Sequence, residues 1–473
     1  MTDSTNTVAA PDSARSIIDS DPYVRDTNKI VEPPKGWRPS LRFLGPGMVT
    51  SAAVVGSGEL ITATALGAQV GFILLWIILV STLVKVGVQI ELARWTISTG
   101  KASVTGYNDV SPRIFGKSWM SYLGLLNFTQ GIIGQGGVMA ASAFAFSVAL
   151  PVIGEPLSMS SLTFWVILIV ALTIAIHLTN KYEIVERICT VLVLLVTASV
   201  VALVIGVQFT EFSWTLMDIG EGMSFQLSAG AMGFALAVFG FTGIGADEIT
   251  KYTYWCVEKG YAAWSGPNDG SEAWVARARG WIAVMKKDAW VSWVVYTVAT
   301  VSFYILGASV LHPQGLQPEG TEVISTLSRT FTDTIGPWVQ VPFLVGAGIA
   351  LFKTVLANTP GFARQMTNTL SVFGAFRWED ARARNRWIRM FMVGLPIVWG
   401  AFALAIKAPL TMVLIAGVIN AFWLMAIVIA VVYLHRTQTD PRLRDGKGFT
   451  VYFVISALAV FGVGVLTLID QFS

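Results

Sequence analysis

Long apolar runs alternate with short polar stretches along the chain. A helix that crosses a bilayer needs about 20 apolar residues, because the hydrocarbon core is about 30 Å thick and each helical residue rises about 1.5 Å. Eleven segments meet that length, at about 43–67, 70–93, 119–150, 159–179, 184–208, 226–257, 289–311, 337–360, 388–406, 408–434 and 449–470. They are numbered here as spans one to eleven; the third and sixth are long enough to be tilted or broken. Residues 1–42 are polar, rich in Asp, Ser, Thr, Arg and Pro. They predict a flexible tail rather than a cleaved signal peptide, ahead of a transmembrane domain over 43–470.

Composition narrows the class further. Only 13% of the 473 residues are charged and 54% are hydrophobic, about half the charge density of a soluble domain. That disfavours a soluble enzyme, a disordered chain and a nucleic-acid binder, and a net charge of +3 is too small to argue for a polyanion partner. Two cysteines, Cys189 and Cys256, make no disulfide framework. His177, His312 and His435 lack metal-ligand spacing. No phosphate-binding loop with lysine and no nucleophile elbow is present, so neither direct ATP drive nor an enzyme is expected, and no cofactor. The expected partners are a small solute or cation and the lipid bilayer; a monomer is compatible with the sequence.

Basic residues orient the chain. Of its 32 lysines and arginines, 27 fall in the tail and in the loops after even-numbered spans, and two, Arg329 and Lys407, in the opposite loops. Such loops are cytoplasmic by the positive-inside rule. An odd number of spans then puts the N-terminus in the cytoplasm and the C-terminus outside, with a bacterial plasma membrane as the expected location. The remaining three, Lys85, Lys251 and Lys353, lie in or beside apolar runs. Intramembrane charges usually pair. Lys85 and Lys353 are candidates for neutralising Glu59, Asp247 or Glu248, or for standing in place of a coupling ion, which predicts sodium-independent uptake. Lys251 is three residues from Glu248, a helical pairing distance.

Two spans carry helix-weakening residues together with acids. Span one contains Gly56-Ser57-Gly58-Glu59-Leu60-Ile61-Thr62, and span six contains Gly243-Ile244-Gly245-Ala246-Asp247-Glu248-Ile249-Thr250. Each glycine costs about 1 kcal/mol in a helix relative to alanine, and a carboxylate at bilayer depth costs about 2.5–3.5 kcal/mol or more. Both features in two similar strings, five crossings apart, predict discontinuous helices whose unwound backbone lines a solvated site at the midplane of an inverted-repeat transporter. The alternative is that the glycines only allow close helix packing.

A run of motifs begins at Gly45-Pro46-Gly47 in span one and continues, without gaps, through Gly67-Ala68-Gln69, Leu74-Leu75-Trp76, Gln89, Ala93-Arg94 and Thr99-Gly100-Lys101 beyond span two. In these motifs the chain resembles the Nramp family of divalent-metal transporters, over most of its length beyond residue 40. The resemblance implies an all-α polytopic membrane protein of LeuT type. Ten core helices would form two inverted repeats of five, at about 43–208 and 226–434, with an eleventh helix at about 449–470. It also implies that a bundle containing spans one and six rocks against a scaffold of spans three, four, eight and nine.

The departures from the family fall on its functional positions. The family's Asp-Pro-Gly-Asn corresponds to Gly56-Ser57-Gly58-Glu59, so its metal-binding aspartate is Gly56 here and its asparagine is Glu59. The backbone carbonyl ligand would be that of Ala53. The family's Met-Pro-His looks like Ala246-Asp247-Glu248, after Gly245, and the glutamine that closes over the ion looks like Asn420. In span three, Asn127, Gln130 and Gln135 stand where the family has acids linked to proton movement, which argues against that coupling here. A site with Glu59 and Asn420 as tentative ligands, plus carbonyls and no sulfur, suits a hard cation such as magnesium, or manganese. The same glycines also bare amide N–H groups that suit a carboxylate, so an amino acid or another small organic ion is the alternative cargo. The stretch Tyr261–Lys287, with Trp264, Trp274 and Trp281, reads as an amphipathic surface helix. The run Arg382, Arg384, Arg386, Arg389 reads as an anchor on anionic lipid.

Overall fold

The computed structural model describes residues 21–56, 58–178, 182–227, 229–318, 325–329, 332 and 336–472. Span one is split into Pro46–Val54 and Thr64–Val70, the latter preceded by π-wound turns at Gly58–Ala63, with a bend of 42° between Pro46–Val54 and Glu59–Val70. Spans two to five are Leu75–Thr99, Trp119–Ala149, Met159–Leu178 and Tyr182–Val207. Span six is also split, into Met232–Phe241 and Ala246–Lys259. Spans seven to eleven are Glu272–Leu306, Gln340–Val372, Ala381–Ile406, Pro409–Thr437 and Lys447–Phe472. The ten long spans and the bent pair make the eleven crossings that the hydropathy predicts.

Local chemistry sets the ends. Pro46 and Pro409 open spans one and ten, where a missing N–H costs nothing. Ser118, Ser271 and Asp380 accept backbone N–H bonds at the starts of spans three, seven and nine. Span seven begins at Glu272, well before the expected residue 289. Trp274 and Trp281 are fully buried on its first turns, and Trp281 stacks against Tyr261 and lies beside Phe43 and Trp264. One face of the stretch expected as a surface helix is thus packed into the body, while Glu272, Ala276, Arg279 and Ala283 stay exposed. Only Tyr261–Trp264 forms a separate short helix there. Lys286 and Lys287 break up the apolar pattern, which hides this in the sequence.

Packing separates inner from outer spans. Span three lies against eight and ten, span two against seven, and the first half of span six against ten. About 78% of span three's apolar stretch is buried, against 28% for span five, whose apolar side chains lie mostly at the surface. Close crossings use glycine. A Cβ at Gly307 would strike the Thr64 carbonyl, and one at Gly67 the Tyr304 carbonyl. The second half of span one and the end of span seven therefore touch backbone to backbone. The reading of glycine as a packing residue holds there, and at the breaks it holds beside the interruption of the helix, since a Cβ on Gly56 or Gly245 would also strike a neighbouring span.

The loops after even-numbered spans gather at one end. Arg94 of span two is bonded to Asp445, before span eleven, and Lys286 pairs with the same carboxylate. Glu91 accepts from Arg94 at 3.2 Å and lies 2.6 Å from His435 Nδ1. From Asp21 onward the segment expected to be a free tail is bonded to the body. Asp21 pairs with Arg384 at 2.6 Å, the Tyr23 hydroxyl donates to Glu258 at 3.0 Å, and Arg25 donates to the Ile97 carbonyl. Arg384, expected at lipid, is buried in that pair, whereas Arg382, Arg386 and Arg389 are exposed. His177 is buried with its Nε2 3.0 Å from the Leu356 carbonyl.

Candidate functional site at the two helix breaks

The breaks of spans one and six lie beside each other at the centre. At the first, Gly56 adopts φ +147°, a conformation that only glycine holds without strain. A Cβ built there would strike Thr354 Oγ1 and lie 2.9 Å from the Ala350 carbonyl. Span eight thus closes the position where the resemblance places a metal-binding aspartate. Ser57 lies outside the described residues. Gly58 starts the π-wound turn that carries Glu59.

Glu59 is fully buried and reaches across to span six. Its Oε1 accepts the Gly243 N–H at 3.0 Å and the Thr300 hydroxyl, from span seven, at 3.2 Å. Its Oε2 has no hydrogen-bond partner among the described residues. A buried carboxylate oxygen without a donor is costly, so this atom is the place in the site best suited to a positively charged or hydrogen-bonding visitor. Carbonyls behind it are occupied: Asn358 Nδ2 lies 3.4 Å from the Ala53 oxygen and Thr354 Oγ1 3.5 Å from that of Ala52.

The second break is bonded at most of its backbone groups, although the buried Thr242 hydroxyl has no partner among the described residues. Asn420 of span ten bridges it, accepting the Ala246 N–H at 3.1 Å and donating to the Gly240 carbonyl at 3.0 Å. Glu248 turns back to accept the Gly245 N–H at 3.1 Å, a capping arrangement for the new helix start. Its other oxygen lies 3.4 Å from Lys251 Nζ, as the spacing predicts. Lys251 also donates to Asn358 at 2.7 Å and sits over the Phe362 ring. Asp247 accepts from Asn127 Nδ2 at 2.6 Å and has Gln365 as a further side-chain partner. Span three thus supplies an amide to hold the acid of span six.

Lys85 and Lys353 behave differently from the expected ion pairs. Lys85 Nζ is bonded to the Phe239 carbonyl and, at 2.7 Å, to that of Thr242, while Lys353 Nζ is bonded to the Val55 carbonyl. Neither lies within ion-pair distance of a carboxylate among the described residues. Both ammonium groups sit on the carbonyl ends of half-helices.

Several contributors were not singled out in the sequence. Asp288 accepts the N–H groups of Gly45 and Gly47, at 2.8 and 2.6 Å, and the Tyr252 hydroxyl at 2.9 Å. It fastens the start of span one to spans six and seven. A glycine-rich helix start without its own capping side chain was the available signal. Thr300, Thr354 and Asn358 carry no comparable signal, because single polar residues in spans are common.

Cavities lie toward the two ends of the protein. One of about 270 Å³ at the basic end is lined by Tyr23, His177, Glu258, Arg364 and Arg384. Another of about 530 Å³ at the opposite end is lined by Glu211, Asp218, Glu221 and His312. No group of three or more His, Cys, Asp or Glu side chains that could hold a metal occurs among the described residues.

Comparisons with known proteins agree with this architecture. Residues 47–470 match the family described as natural resistance-associated macrophage protein-like, Nramp. An uncharacterized protein of Pasteurella multocida is 23% identical over 71% of this chain and 72% of its own length. The divalent metal cation transporter MntH of Bacillus subtilis is 36% identical, but over only 14% of this chain and 16% of its own length. Among solved structures, the manganese transporter of Eremococcus coleocola superposes with a TM-score of 0.67 at 15% identity, covering 95% of this chain and 91% of that one. MhsT in complex with L-phenylalanine gives 0.52 at 13% identity, covering 93% and 99%. The fold is therefore of LeuT type, an all-α membrane protein with two broken helices, and the chain belongs to the Nramp family.

Proposed function

We propose that this protein is a secondary active transporter that moves a small cation, a divalent metal such as magnesium or manganese, by alternating access, with Glu59 as the acid that receives it. The unbonded Oε2 of Glu59 at the first break carries this reading. The acidic lining of the cavity at one end, Glu211, Asp218 and Glu221, raises the local concentration of cations approaching the centre. The site lacks sulfur, since Ala246 stands at the position likened to the family's methionine, and oxygen donors suit hard ions. The bacterial and plant relatives named as metal transporters support a metal cargo. Asn420 would act through the backbone it bridges, because both ends of its amide are engaged there.

The two repeats at about 43–208 and 226–434 would exchange inward and outward access by rocking spans one and six against spans three, four, eight and nine. The basic end would face the cytoplasm, as the loop charges favour. That puts the N-terminus inside and the C-terminus outside.

One observation favours an organic cargo as a second reading. The central acids Glu59, Asp247 and Glu248 are matched in number by Lys85, Lys251 and Lys353, all of them within the spans. A centre so balanced attracts a dication less than an acid-rich one, and suits a zwitterion. Thermal-shift measurements of the purified protein with magnesium, manganese and calcium chlorides, beside amino acids and small organic ions, separate the two. Stabilisation by a metal alone supports the first reading; stabilisation by organic ligands alone supports the second. In proteoliposomes Glu59→Gln is expected to reduce uptake of the stabilising cargo at least about 100-fold while the protein still inserts and folds. Unchanged uptake would remove Glu59 from the site.

A further inference from the structure

We propose that Lys85 and Lys353 are built-in counter-ions that fill the carbonyl ends of the two broken helices, so that no sodium ion binds there. The proposal rests on reading the breaks as the working centre, but not on the identity of the cargo.

A helix that stops inside the membrane leaves its last carbonyls without intrahelical partners, and these carry the negative end of the helix dipole. Such ends in transporters of this general architecture coordinate cations. Here both are already occupied by ammonium groups. The first half of span one ends at Val54, and the carbonyl of the next residue, Val55, receives Lys353. The first half of span six ends at Phe241, and the flanking carbonyls of Phe239 and Thr242 receive Lys85. Ser81, one turn before Lys85, adds a hydroxyl to the Phe239 carbonyl at 3.3 Å. Both lysines are fully buried.

An ammonium carries the same unit charge as sodium and offers three donors to carbonyl oxygens. Tethered by its stem, it needs no capture from solution, and its charge repels a second cation from the same oxygens. The pattern also crosses between the halves of the chain. Lys85 lies in the first five spans and serves span six, whereas Lys353 lies in the later five and serves span one. Each half therefore closes the broken helix of the other.

The test reads melting temperature, without cargo, in sodium, potassium or choline chloride at equal ionic strength. The wild type is expected to melt at the same temperature in all three. Lys353→Ala is expected to melt about 5 °C lower in choline. Sodium or ethylammonium, entering the vacated carbonyl end, should restore at least half of that loss through binding to the folded state. Lys85→Ala is read in the same way, so that one variant that fails to fold still leaves the other. Specific stabilisation of the wild type by sodium would overturn the proposal. So would folded variants that respond to none of the small cations. Neither outcome bears on whether a metal or an organic ion is transported, which the cargo screen decides separately.

Discussion

The two breaks share a sequence pattern but differ in how completely they are bonded. At span six, the amide of Asn420, the carboxylate of Glu248 and the ammonium of Lys85 hold five backbone groups across the interruption. At span one, span eight meets the carbonyl side through Lys353 and longer contacts from Thr354 and Asn358, and Glu59 keeps one oxygen unbonded. Break six is therefore the more heavily fastened of the two, and break one is where a buried carboxylate oxygen is left without a partner. Similar glycine-rich strings end up in different roles because their neighbours differ: an asparagine from span ten in one case, a lysine and two small polar residues from span eight in the other.

Three substitutions test that contrast. The largest effect is expected from Gly56→Asp, which restores the acid that the family resemblance places there. With φ at +147° and span eight against the missing Cβ, the new side chain is expected to destabilise the fold by about 3 kcal/mol or more. It should not create a manganese site. A variant that melts like the wild type and gains manganese binding in calorimetry would show that break one has room the contrast denies it. Asn420→Ala comes next. It unfastens one donor and one acceptor at break six and is expected to cost about 1–3 kcal/mol, with faster amide exchange confined to residues around 240–246. Exchange unchanged in that stretch would mean that the fastening does not depend on Asn420. Thr300→Val is the mildest. It removes one of the two bonds to Glu59 Oε1 and leaves the Gly243 N–H in place, for about 1 kcal/mol. Uptake should fall by about fivefold, the same energy expressed as a rate. A loss as deep as that of Glu59→Gln would make Thr300 a direct cargo ligand.

The span count and the two breaks were legible in the sequence because apolar length and paired glycines with acids are properties of the chain itself. The pairing of Glu248 with Lys251 was legible for the same reason, being local to one helical turn. What Lys85 and Lys353 bind was not. Charge logic points an intramembrane lysine to a carboxylate, and the competing partner, a bare helix end, exists only once the helix has been broken and a distant span laid beside it. Asp288 was missed because Lys286 and Lys287 made its neighbourhood look like a loop, although span seven already runs through it. Asn420 was found through the family resemblance, but its bridging of span six needed the crossing of Gly240 and Gly417. There a Cβ on Gly417 would meet the Ala237 carbonyl. That crossing brings spans six and ten close enough for a short amide to reach both edges of the gap.

The wider winding of residues 58–63 gives Glu59 an aim that is adjustable. A turn bonded from i to i+5 can tighten to i to i+4 without cutting the chain, and such rewinding rotates everything on one side of it about the axis. Thr64–Val70 is clamped by its glycine contact with the end of span seven, so the rotation would fall on the acid. A small change of pitch would thus turn the carboxylate like a rudder, away from the Gly243 amide.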